Sequence, residues 1–73
     1  MKATYVSVWD GGIQIRTNCK FDQATKQVSD VESADVDGLD FCEEEFIELS
    51  NGEVIKDFVN EDGNQYKNGQ LEE

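Results

Sequence analysis

Histidine and proline are missing from this chain, cysteine occurs twice, and tryptophan and methionine occur once each. Without histidine, neither a Ser-His-Asp triad nor a Cys-His pair can be assembled. The zinc sites that mix cysteine with histidine are excluded as well. Cys19 and Cys42 are too far apart in sequence to form a C-x-x-C pair. The absence of proline argues against a stiff Pro-rich linker. No stretch approaches the roughly 20 apolar residues of a membrane span. The opening residues Met1-Lys2-Ala3-Thr4-Tyr5 lack the apolar run, about 7 to 15 residues long, of a secretory leader. These absences lead us to expect a cytoplasmic protein with two reduced thiols, no cofactor and no membrane contact.

Positive charge is also scarce. Six Lys and Arg face 17 Asp and Glu, a net charge of −11. The imbalance is uneven. Up to residue 29, Lys2, Arg16, Lys20 and Lys26 outnumber Asp10 and Asp22 by two, whereas residues 30–73 carry −13. From residue 30 to 48 there are nine acids and no base: Asp30, Glu32, Asp35, Asp37, Asp40, Glu43, Glu44, Glu45 and Glu48. Such a surface repels nucleic-acid phosphate, whose binding relies on Lys and Arg displacing counterions. It steers toward a basic protein instead. The plainer account of the same charge is solubility.

At 73 residues the chain has room for one small domain. Domains of this size bury only about 60% of the surface their unfolded chains expose. With 37% hydrophobic and 32% charged residues, the composition is that of a globular protein rather than a fibrous or disordered one.

The patterning is that of strands. Ala3 to Trp9 is rich in β-branched and aromatic residues, and Asp10-Gly11-Gly12 breaks it as a turn. Ile13, Ile15, Thr17, Cys19 and Phe21 then alternate with polar residues, the signature of a half-buried strand. Asp22 to Gln27 reads as a loop in which Asp22 caps its own turn, and Lys26 to Val31 as a third strand with a bulge or strand end near Ser29-Asp30. Glu32 to Asp40 reads as a short edge strand or a loop. Residues 40–48 have two readings. As a helix, Asp40 is the N-cap and Glu43 completes a capping box. As a strand, Phe41, Ile47 and Leu49 share a face interrupted by Glu43 and Glu45. Asn51-Gly52 between two apolar runs favours the strand, returning through Glu53 to Val59. A two-residue turn there sets Leu49 opposite Val54 and Ile47 opposite Lys56. Beyond Asn60-Glu61-Asp62-Gly63-Asn64 only Tyr66 and Leu71 could anchor the chain.

These patterns predict an all-β fold. It is a small antiparallel meander of about five strands, built as an open sheet closing toward a small barrel or as a sandwich, with one short helix near 40–48 as the alternative. The domain is expected over residues 1–60, with 61–73 a flexible acidic tail. The expected core is Val6, Val8, Ile13, Ile15, Cys19, Phe21, Val28, Leu49, Val54 and Phe58, with Trp9 and Phe46 as additions.

Two chemistries compete with a binding role and fit poorly. Ser33, Asp35, Asp37, Gly38 and Glu44 fall near a calcium-loop spacing, but the first position is Ser and the flanking helices are missing. Paired carboxylates abound, yet hydrolytic chemistry needs them to converge in a cleft. The expected function is therefore a non-catalytic, acidic protein-interaction module without cofactor or metal, a monomer or weak homodimer. Its electrostatic face would comprise Asp35, Asp37, Asp40, Glu43, Glu44, Glu45 and Glu48. That face could imitate nucleic-acid phosphate before a basic partner, as small inhibitors of phages and mobile elements do. The alternative is an adaptor or self-associating domain using an apolar patch around Tyr5 and Trp9. Against that stands the core or rim role a lone Trp commonly takes in a small domain.

Overall fold

The structure, a computed structural model, describes residues 1–31 and 41–72. Among the described residues eight strands form one sheet: β1 (Lys2–Trp9), β2 (Gly12–Asp22), β3 (Gln27–Ser29), β4 (Cys42–Leu49), β5 (Val54–Ile55), β6 (Phe58–Val59), β7 (Gln65–Lys67) and β8 (Gln70–Leu71). Their order is β5-β4-β1-β2-β3-β6-β7-β8. The sheet curls into a half-barrel, and its last hairpin reaches back to β4, where the Glu45 N–H donates to the Gly69 carbonyl at 2.8 Å. The all-β class is as expected. The strand number is larger, and the sheet is mixed rather than purely antiparallel because β3 and β6 run parallel.

Sequence places the first hairpin well. β1 and β2 pair antiparallel from Trp9↔Gly12 to Lys2↔Lys20, and the Asp22 carboxylate caps the next turn by accepting from the Ala24 N–H at 2.9 Å. The helical alternative for 40–48 fails. β4 lies against β1 from Thr4↔Glu48 to Val8↔Glu44, and the β1 ladder satisfies backbone groups that a helix would have satisfied internally. The expected register of the β4–β5 hairpin is off by one. Its loop is Ser50-Asn51-Gly52, three residues with positive φ only at Gly52 (91°), so Ile47 faces Ile55 and Glu48 faces Val54. The expected tail from residue 61 is corrected too. Asn68 (φ 53°) and Gly69 (φ 79°) make a tight turn that pairs Tyr66 with Leu71, and Tyr66 stacks on Phe58 at 4.7 Å.

One core fills the concave side: Ala3, Tyr5, Cys19, Phe21, Val28, Ile47, Leu49 and Phe58, with Val31, Ile55 and Tyr66 packed against it. Ile13 and Ile15, expected inside with Cys19 and Phe21, are 66% and 63% exposed. The cause is a bulge. Asn18 sits at φ 66°, and the pairing shifts between Ala3 and Tyr5. An extra residue in a strand reverses its parity, so the alternating series is split between the two faces. Val54 is also exposed, at 49%, because the one-residue register change turns it outward. Val8, Trp9 and Phe46 are half-buried.

Candidate functional site

β4 carries the acids, and the pleat divides them. Ile47 and Leu49 are buried in the core, so Glu45, two residues before Ile47, also turns to the concave side. Glu44 and Glu48 turn to the outer face with Phe46. The expected electrostatic face is therefore split. Glu43 and Glu48 are exposed. Glu44 holds Lys56 at 2.7 Å across the outer face. Glu45 belongs to an interior network. Asp35, Asp37 and Asp40 lie outside the described residues.

The network is compact. The Glu45 carboxylate accepts hydrogen bonds from the Tyr5 hydroxyl, from the Ser7 hydroxyl at 3.2 Å and from the Cys42 thiol at 3.5 Å. Arg16 donates to Ser7 Oγ at 2.6 Å and lies 4.7 Å over the Tyr5 ring. Such partners are what a half-buried carboxylate needs, since an unsatisfied one is costly. Burial first, and the Glu45 carboxylate second, hold the Tyr5 hydroxyl far above its ordinary range. The same two causes push the Tyr66 hydroxyl up to about 12. Burial and then the charge of Glu45 push the Cys42 thiol up to about 11. A cavity of about 180 Å³ opens beside the network between Tyr5, Arg16, Glu45, Tyr66 and the Asn60–Asp62 turn. The two tyrosine hydroxyls that line it are shifted toward the neutral form, as is the nearby Cys42 thiol, the opposite of the shift that activates a nucleophile.

Tyr5, expected on an exposed patch, is 4% exposed and packs edge-on against Phe58 at 5.7 Å. Trp9 is half-buried at the strand end, and its indole N–H is buried without a partner among the described residues. The apolar patch lies elsewhere. Pairing across the outer face aligns Val6 with Ile15 and Phe46, and Val8 with Ile13. Val54 lies on β5 opposite Glu48, at the edge of this patch. Val6 is buried yet stands outside the main core cluster. Ile13, Ile15 and Val54 are uncovered. The signal for this face lay in the sequence as apolar residues at both parities of Ala3 to Trp9, which one core cannot absorb. The roles of Ser7 and Arg16 carried no such signal.

Compared with family models, with curated proteins and with solved structures, the chain matches none.

Proposed function

We propose that the chain is a non-catalytic protein-interaction module that docks through the outer face of β5, β4, β1 and β2. One observation carries this reading. Val6, Val8, Ile13, Ile15 and Phe46 form a contiguous apolar patch across β4, β1 and β2, with Val54 at its edge on β5, and Ile13, Ile15 and Val54 are exposed. Scattered exposed apolar residues are ordinary, but a contiguous patch marks a contact surface. The concave side supports the non-catalytic half of the proposal, because Glu45 is committed to three donors and its thiol and phenol neighbours are held neutral.

Phosphate mimicry by the acids is the competing reading, favoured by the net charge of −11. Capture from lysate separates the two. Tagged wild type, I13D/I15D and E43K/E48K are each used at low and high salt, and bound chains are identified by mass spectrometry. Apolar docking is salt-tolerant. The expected result is the same chain captured at both salts, lost with I13D/I15D and kept with E43K/E48K. Capture only at low salt, kept by I13D/I15D and lost with E43K/E48K, would overturn the proposal in favour of mimicry.

A further inference from the structure

We infer that the occupant of the outer face is a second copy of this chain, held sheet against sheet. This rests on the docking reading above and names its partner.

The argument is one of charge. The molecule as a whole carries −11, yet among the described residues the outer face is close to balanced. Glu44 is neutralised by Lys56 at 2.7 Å. Lys20, which the pleat places outward because Cys19 and Phe21 are inward, is paired with Asp30 at 3.2 Å. Lys2, opposite Lys20, stands against Glu48, opposite Thr4, and Asp22, which the same pleat turns outward, so among the described residues the face carries one net acid. A basic partner would find little excess of acid here. Two copies meeting at this face bring little net charge into the contact, whereas contact anywhere more acidic would set like charges together. An isologous pair needs such a self-compatible patch.

The shape allows the contact and limits it. Four strands at about 4.8 Å spacing, with about 14 Å of β1 between Thr4 and Val8, give a face of a few hundred Å². Two faces would stack about 10 Å apart with Ile13, Ile15 and Phe46 interdigitating. The total is below the roughly 1,200–2,000 Å² of stable complexes. The dimer is therefore weak and concentration-dependent. It also has an unusual salt dependence. The contact is apolar and the copies repel at a distance, so screening strengthens the pair. A pair held by acid–base attraction would weaken instead.

Sedimentation velocity over a concentration series, at low and high salt, tests this. Wild type should shift from monomer toward dimer with concentration, and the shift should come at lower concentration in high salt. I15D and I15K should each raise the dimer dissociation constant about tenfold or more, because either charge would be buried without a partner. Circular dichroism of both variants shows whether the fold is kept. The use of two opposite charges separates loss of apolar contact from a change in net charge. Dimerisation weakened by I15D but strengthened by I15K would mean that charge alone governs association, and would overturn the inference. A wild type that stays monomeric at every concentration would overturn it too. If lysate capture then still shows salt-tolerant, Ile13- and Ile15-dependent binding of another protein, the docking reading survives with a different occupant. If capture also fails, both fall.

Discussion

At the scale of single residues, Glu45 is the centre of the concave side. It draws Tyr5 and Ser7 from β1 and Cys42 from its own strand. Its charge also has a reach in pH. Cys42 is raised to about 11 from an ordinary 9.0, and Tyr66 to about 12 from 10.0, by burial first and Glu45 after it. A group whose folded pKa lies above its unfolded one contributes stability that is complete below the unfolded value and lost above the folded one. The fold should therefore be stable at neutral pH and lose stability as pH rises through the windows 9–11 and 10–12. The same shift suppresses reactivity. Two pH units leave about one hundredth of the ordinary thiolate. Iodoacetamide labelling at neutral pH, resolved by site, should be far slower at Cys42 than in urea-unfolded protein, and faster in E45Q than in wild type. Labelling of native Cys42 at the unfolded rate would contradict this account of the network.

At the scale of elements, the β7–β8 hairpin acts as a clasp. Its turn residue Gly69 accepts from the Glu45 N–H at 2.8 Å and donates to the Lys56 carbonyl at 3.0 Å. Those two bonds tie the far end of the sheet to β4 and to the residue after β5. Gly69 has φ 79°, and a Cβ there would come within 2.6 Å of Glu44 Cγ and 3.1 Å of the Glu45 carbonyl oxygen. G69A should cost about 2–4 kcal/mol, from left-handed backbone strain plus overpacking. G63A, with φ 87° but open space around it, should cost about 1–2 kcal/mol from strain alone. Urea titrations check the pair, and equal losses would mean that the clasp contact is soft.

The same elements show what was legible. The β1–β2 hairpin, the Asp22 cap and the strand character of β4 could be read from local pattern, because the residues that decide them are neighbours in the chain. The Asn68-Gly69 turn was equally local, but its short flanks hold only Tyr66 and Leu71 as apolar anchors, too few to announce a hairpin. The bulge at Asn18 was not legible. Asn gives no sure sign of a positive φ, and one inserted residue exchanges the faces of Ile13 and Cys19. Glu45 looked like a flaw in a buried face for a different reason. Its donors Tyr5 and Ser7 lie 40 and 38 residues away, and only the β4–β1 register brings them together. Spacing in sequence does not give spacing on a surface, because the pleat turns Glu44 and Glu45 to opposite faces of β4.

At the scale of the whole molecule, charge and size act against each other. A 73-residue domain with nine buried apolar residues among those described has little stability in reserve, on the order of 4–11 kcal/mol. The net charge of −11 left by 17 acids and six bases opposes compaction by self-repulsion. The ion pairs among the described residues, Lys56–Glu44 and Lys20–Asp30, are partly exposed, and pairs of that kind contribute about 0–1 kcal/mol each. Net repulsion should therefore outweigh local attraction. Raising salt should increase the urea midpoint without changing the slope. Because salt should also favour self-association, the titration belongs at protein concentrations where sedimentation shows only monomer. A dimer contribution would make the midpoint rise with protein concentration, whereas relief of repulsion within one chain would not. A midpoint that falls with salt at low concentration would mean that the two exposed pairs and the Glu45 network outweigh the repulsion. It would also remove the basis for expecting tighter dimers at high salt.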